Sequence, residues 1–412
     1  MSKFEFTKLK DVCSYASEKI LLAEITEDTY ISTENMLPGK NGVTRATALP
    51  NMKNVPKYVA DDVLTSNIRP YFKKIWRAKS AGGASNDVLI LRSNYRYRSD
   101  FLYYVLSSDD FFAYSMQSSK GTKMPRGNKD AIMKYPVPVV DIDVQHKIAS
   151  TLSAYDNLIE NNNCRIAILE EMAQRLYQDW FVHFRFPGHE KVKMVESEMG
   201  LIPERWVVSS IGSISDKIFS GGTPTTTQEE YWDGSFHWLS SGETRDKFII
   251  STEKRITEEG IKNSSTRLAK RLDIVIASAG QGKTRGQTSL LLLDTYINQS
   301  VISIRVKDYC KAYAFFNISS RYDELRHISD ASSIRGSLTT QIFNSLSILL
   351  PDTNVLQQYN SIVVSNILLI ENLRKRNEIL RKTRDLLLPR LISGDIDVSE
   401  LDIGIERSEE NA

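Results

Sequence analysis

Between residues 148 and 180 the apolar positions recur in alternating steps of four and three: Ile148, Leu152, Tyr155, Ile159, Asn162, Ile166, Leu169, Ala173, Leu176 and Trp180. That spacing predicts a long helix burying one narrow seam, with Asn162 its one strongly polar member. A second stripe follows the same template through Val363, Ile370, Leu373, Leu380, Leu387 and Leu391, interrupted at Asn366, Asn377 and Arg384. Elsewhere the pattern changes. Residues 1–140 and 200–350 read as short β-branched and aromatic runs broken by Gly, Pro, Asn and Ser, which predicts mixed α/β globules. A helix of roughly 35 residues is a rod of about 50 Å, longer than one small globule covers. The economical arrangement packs the two rods on each other, antiparallel about a pseudo-two-fold axis. Burial of each stripe against its own globule is the competing arrangement.

The chain is written twice. Phe4–Val12 matches Trp206–Ile214 at an offset of 202, and Leu158–Leu169 matches Leu369–Leu380 at an offset of 211. Between them, in the same order, Asp61–Asn67 resembles Leu272–Ser278, Phe101–Ser108 resembles Tyr313–Ser320, and Tyr135–Gln145 resembles Ile348–Gln358. Fixed order with loop-sized drift marks a tandem duplication. The expected fold is α+β, with two similar mixed α/β domains in tandem and two long helices forming an antiparallel coiled coil. The expected segments are a first domain at 1–143, a helix and connector at 144–199, a second domain at 200–352, and a helix with an acidic tail at 353–412.

Composition narrows the class. With 412 residues, 41% apolar and 25% charged, the chain has the means to build several ordinary cores. No apolar run approaches the roughly 18–20 residues of a membrane helix, and the N-terminus shows no signal peptide, so a cytoplasmic protein without a membrane partner is expected. Three widely spaced cysteines indicate neither a disulfide framework nor a paired metal site. Net charge is +2, but Ser393–Ala412 holds seven acidic residues against one arginine, leaving the remainder about eight charges positive. That excess suits a polyanion, although a mixed surface with an acidic tail looks the same.

One stretch resembles a catalytic motif. IVIASAGQGKTRGQ, Ile274–Gln287, has the Gly-Lys-Thr of a phosphate loop. The first glycine of that motif is replaced by Ala277, and Gly286 with the following apolar run reads as a turn and a strand, where a helix should start. The preferred reading is a loop after a strand that presents Gln281, Lys283 and Arg285 to a ligand. No Pro-Pro methyltransferase loop, Glu-x-Lys nuclease triple, histidine metal motif or nucleophile turn occurs, so no enzyme is expected in this chain. The acidic pairs Asp61-Asp62 and Glu170-Glu171 are read as solvated.

The globules instead carry polar loops rich in basic and aromatic residues. Arg69, Lys73, Lys74 and Arg77 alternate with Tyr71, Phe72 and Trp76; Arg96, Lys120, Lys123 and Arg126 follow. In the second copy the counterparts are Phe219–Thr227 with Ser220 and Thr223, Leu239–Arg245, Lys283 with Arg285, and Ser332–Ser337 with Arg335. Basic side chains grip phosphates and polar ones reach base edges, though each patch alone is equally a solvated sheet edge.

These segments resemble the specificity (S) subunits of type I restriction–modification enzymes. The resemblance is carried by GLIPERWVVSSIG (Gly200–Gly212), SGGTPTTTQEEYW (Ser220–Trp232), WLSSGE (Trp238–Glu243), KGTKMPRGNKDAIMKYPVP (Lys120–Pro138) and LLLPRLISGDIDV (Leu386–Val398). It implies two target-recognition domains, each reading one half of a bipartite, asymmetric double-stranded DNA target, with the paired helices setting the spacer. It also implies two methylation (M) subunits carrying S-adenosylmethionine, restriction (R) motor-nuclease subunits using ATP and Mg, and no cofactor or metal in this chain. The residues that touch bases do not carry over from the family, so the cations named above rest on residue type and loop position. A coiled-coil adaptor without DNA specificity is the alternative.

Overall fold

A computed structural model describes residues 4–121, 123–280, 282–331 and 336–403. The chain divides into two compact units. One takes in the chain up to Glu160 and again from Ile379; the other is Asn161–Glu378.

The first unit is organised by a four-stranded antiparallel sheet in the order Cys13–Tyr15, Val88–Ser93, Val63–Ser66, Ile75–Arg77. Alternation along these strands sends successive side chains to opposite faces. Val63, Leu89 and Leu91 join Phe101, Leu102, Phe111 and Phe112 of the helices Ser99–Leu106 and Asp109–Gln117. Leu64, Val88 and Ile90 face the other way, onto Met36 and onto Ile31 and Tyr58 of a second small sheet. Glu5–Lys8 pairs antiparallel with Pro136–Val139 where the domain meets its helix.

The second unit repeats this frame. Its sheet runs Ser215–Ser220, Val301–Val306, Ile274–Ala277, Thr288–Leu291, with Phe248–Ile249 added in parallel at the edge. Ile274, Ile276, Ile302 and Ile304 pack on Phe315 and Phe316 of the helix Lys311–Ser319, whereas Val275, Leu291 and Val301 meet Phe219, Leu239 and Ile297 on the far face. Val207–Ser210 pairs with Ser347–Leu350 as Glu5–Lys8 does with Pro136–Val139. In each frame, at the matching place, a part-exposed arginine pairs with a buried aspartate. Arg92 holds Asp62 through Nε and Nη2, both at 2.8 Å, and Arg305 holds Asp273 at 3.0 and 2.7 Å. Asp62 is therefore a core residue and not half of a solvated pair. Its charge is tolerated because a guanidinium and the Val59 N–H saturate it.

The two stripes form helices at Ile142–Tyr177, continued by a π turn at Gln178–Val182, and at Thr353–Ile392. In the first unit Ile148 and Leu152 share a core with Leu388, Leu391 and the sheet-covering helices, and Arg384 pairs with Asp156. In the second, Ile166, Ala173, Tyr177 and Trp180 share one with Leu356, Tyr359, Val363, Ile367, Ile370 and Leu373. Asn162 Nδ2 donates to Asn377 Oδ1 at 2.8 Å, and Asn377 Nδ2 to Asn163 Oδ1 at 2.9 Å. In both units residue numbers rise along one helix as they fall along the other, so the segments are antiparallel. Burial against the globule and pairing of the helices hold together.

The seam differs in detail from its sequence reading. Asn377 and Arg384 do not interrupt it but lie in it, because each meets a polar partner on the facing helix. Ile367 is buried in place of Asn366, and Leu388 more fully than Leu387; Tyr155, Leu169, Leu176 and Leu380 are half-buried. Glu170, read as solvated, meets Arg374 at 3.4 Å across the helices. Further contacts fasten each globule to its helices. Tyr104 donates to Asp156 at 2.7 Å and Lys79 meets Glu160 at 2.6 Å; Arg374 donates to the Phe248 carbonyl at 2.8 Å and Arg271 meets Glu371 at 2.6 Å. Among the described residues no helix is long and apolar enough to cross a membrane.

Candidate nucleic-acid interface

In the first unit three loops are sewn together by main-chain hydrogen bonds. Arg69 N–H donates to Pro125 O at 2.8 Å and Gly127 N–H to Asn67 O at 3.0 Å, which joins the turn after Val63–Ser66 to the loop at 118–127. Gly39 N–H donates to Phe72 O at 2.8 Å and Lys40 N–H to Lys73 O at 2.9 Å, which adds the Pro-Gly-Lys-Asn-Gly turn at 38–42. Gly127 has no room for a side chain: a Cβ would lie 2.8 Å from Asn67 Oδ1 and 2.9 Å from Ile132 Cδ1.

This frame gathers Arg69, Lys73, Lys120, Lys123 and Arg126 on one set of loops. Arg69 is half-buried, Lys120 and Lys123 are exposed or nearly so, and Arg126 is exposed beside Asp87 at 3.0 Å. Lys73 rests on Asp109 at 2.9 Å, and Lys40 reaches the same carboxylate at 3.3 Å. Burial alone would raise the Asp109 carboxyl, but these two lysines outweigh it and hold it below the usual range. Lys40 escaped the sequence reading; two glycines and a proline around a lysine were its signal. Lys74 is partly buried and donates to Thr33 O at 2.6 Å, and burial pushes its ammonium below the ordinary lysine value. Arg77 and Arg96 stand elsewhere. Arg77 lies near Asp61 and Asp100, and Arg96 is exposed in the turn whose carbonyl takes a bond from Gln145 on the long helix.

The second unit builds a different surface on the matching frame. Ser220 ends its strand, and the Gly221 and Gly222 N–H groups donate to the carbonyls of Asn298 and Ile297 at 3.3 and 3.0 Å. The approach is close: a Cβ on Gly221 would come within 1.9 Å of the Ile297 oxygen. Thr223 Oγ1 donates to Gln299 Oε1 at 2.5 Å, and Ser278 N–H donates to Ser300 O at 2.8 Å, so the loop at 220–223 adjoins the one after Ile274–Ala277. Lys283 is exposed in that loop, whose Gly282 and Lys283 carbonyls accept from Arg326 and Tyr322 at 2.7 and 2.8 Å. The loop leads into the strand Thr288–Leu291, so the helix start that a phosphate loop needs is not there. Arg285 turns inward, its guanidinium taken by Asp330 and the Gly336 carbonyl. Within Leu239–Arg245, Glu243 is buried and closes a capping box with Ser240, whereas Arg245 is exposed beside Glu253 at 3.3 Å. Arg335, Gln281, most of Ser332–Ser337 and the acidic tail beyond Ile403 lie outside the described residues. Among the described residues no group of three or more His, Cys, Asp or Glu side chains is placed to hold a metal ion.

The comparisons with known proteins also find the repeat. The family model for the type I restriction modification DNA specificity domain matches twice, at residues 1–171 and 203–381. The chain is 25% identical over 306 residues to the type I restriction enzyme MjaIX specificity subunit of Methanocaldococcus jannaschii, covering 74% of this chain and 70% of that one. It is 21% identical over 361 residues to the HindI specificity subunit of Haemophilus influenzae, covering 72% and 77%. The fold is similar to the crystal structure of a type I restriction-modification S subunit from M. genitalium, with a TM-score of 0.60 and 14% identity over 95% of this chain and 96% of that one. With both of its halves matched by one family model, the chain belongs to the type I restriction–modification DNA specificity family.

Proposed function

We propose that this chain is the DNA sequence-recognition subunit of a type I restriction–modification complex and carries none of the bond-breaking chemistry itself. The domain at 1–143 reads one half of a bipartite target and the domain at 200–352 reads the other. The observation that carries this reading is a repeated frame, marked by Asp62–Arg92 and Asp273–Arg305, under loops that differ in sequence and in shape. Matching frames with unlike loops suit an asymmetric target. In the first domain Arg69, Lys73, Lys120, Lys123 and Arg126 meet the DNA; in the second, Ser220, Thr223 and Lys283 do. The helix-bearing segments, 144–199 and 353–412, set the spacer and offer the docking surface for two methylation subunits. S-adenosylmethionine belongs to those subunits, and ATP with Mg to motor-nuclease subunits.

The test is co-expression of the full chain with a methylation subunit encoded beside it, followed by mapping of methylated adenines across the host genome. A two-part motif with a fixed gap is expected. A single uninterrupted motif, or methylation without sequence preference, would overturn the reading.

A further inference from the structure

The first unit carries an apolar tip that its core does not use. Pro70–Phe72 form a single 3-10 turn, and the residues flanking it, Arg69 at φ 50° and Lys73 at φ 51°, both lie in the left-handed region. Non-glycine residues occupy that region at a cost, so the surrounding bonds to Pro125, Gly39 and Lys40 must hold the turn in place. The turn keeps two aromatic rings outside. Tyr71 is 50% exposed and Phe72 39%, with ring centroids 4.6 Å apart and planes tilted by 52°. Trp76, by contrast, turns its ring onto Tyr58 at 5.9 Å. Met124, next to the Pro125 that accepts from Arg69, is as exposed as Tyr71.

A turn needs no exposed aromatic pair; polar residues would make it without the hydration cost. The cations Lys73, Lys120, Lys123 and Arg126 on the same loops make the surface complementary to a polyanion. Those cations meet phosphates, which leaves the apolar tip for what lies between the phosphate rows. On the floor of the major groove the apolar group is the thymine C5-methyl. Two tilted rings present a blunt end and not a flat blade, which suits contact with the groove floor better than entry between stacked base pairs.

We propose that Tyr71 and Phe72 are specificity-determining residues that read thymine methyl groups in the half-site of the first domain. This rests on the DNA-recognition reading above. The experiment uses the full-length chain and duplexes carrying its mapped target, with deoxyuridine replacing thymine in one half at a time. The wild type is expected to bind about fourfold more weakly for each contacted methyl removed from one half. The Tyr71→Ser/Phe72→Ser variant loses that penalty in the same half only, and Tyr71→Leu/Phe72→Leu keeps most of it. An absent penalty in the wild type, or one unchanged in the serine variant, overturns the proposal. Should the serine variant fail to fold, the wild-type uracil duplexes and the leucine variant decide. A wild-type chain that does not separate its target from a scrambled duplex would instead overturn the DNA-recognition reading itself.

Discussion

Arg305 closes on Asp273 through Nε and Nη2, at 3.0 and 2.7 Å, and the carboxylate it meets is only 2% exposed. The Lys270 N–H and the Ser303 hydroxyl complete its shell at 2.9 and 3.3 Å. Arg305→Met would leave that charge buried with its main partner gone, at a cost of about 3 kcal/mol. The double variant with Asp273→Asn removes both charges and should lose less. Thermal denaturation measures both; a loss as large in the double as in the single variant would show that the pair is not what matters. Arg92→Met should behave alike in the first unit, through Asp62.

The three thiols differ in reach. Cys13 and Cys310 are buried and Cys164 is exposed on the first long helix. Burial pushes the Cys13 and Cys310 thiols up to about 12, so near pH 8 both stay protonated and inaccessible. One equivalent should react rapidly with a disulfide reagent in the native protein and three after unfolding. Because the folded pKa values are raised, the stability they contribute is intact below the ordinary value of 9.0 and declines as pH rises from there towards about 12. Two or three fast equivalents at pH 8 would contradict the burial.

Removal of one heptad from each long helix preserves the phase of both seams while shortening each rod by about 10 Å at 1.5 Å per residue. The spacer of the recognised target should contract by about 3 base pairs at 3.4 Å each, with both half-sites unchanged. Methylation mapping reads this directly. An altered half-site beside an unaltered gap would argue against the helices as the measuring element.

Lys283 is exposed in its loop and its main chain is anchored by Tyr322 and Arg326. Lys283→Ala should therefore leave the fold intact and weaken DNA binding, making the negative slope of log K against log salt shallower by about 1. Titration of the same duplex at several salt concentrations tests it, and an unchanged slope would remove Lys283 from the phosphate contacts.

Much of the architecture was legible because it is periodic. Steps of four and three placed Ile148, Leu152, Val363, Ile370 and Leu373 in buried seams, and the apolar run after Gly286 marked the strand Thr288–Leu291. The candidate interface was less legible. Arg285 and Lys74 look like free surface cations in sequence, yet their partners, Asp330 and the Thr33 carbonyl, are 45 and 41 residues away. Asp62 looks solvated beside Asp61 until Arg92 is brought across the sheet.

The duplication, the two helical stripes, the strand-loop-strand nature of Ile274–Leu291 and the family can all be read along the chain. They depend on local spacing and on similarity from residue to residue. Which polar side chains are used up depends instead on the folded arrangement. There Asn377 and Arg384 became seam members, Arg285 an internal strut, and Tyr71 and Phe72 an exposed tip. The physical reason is that a charge or hydrogen-bonding group is satisfied by whatever the fold carries to within about 3 Å of it, and separation along the chain does not encode that distance.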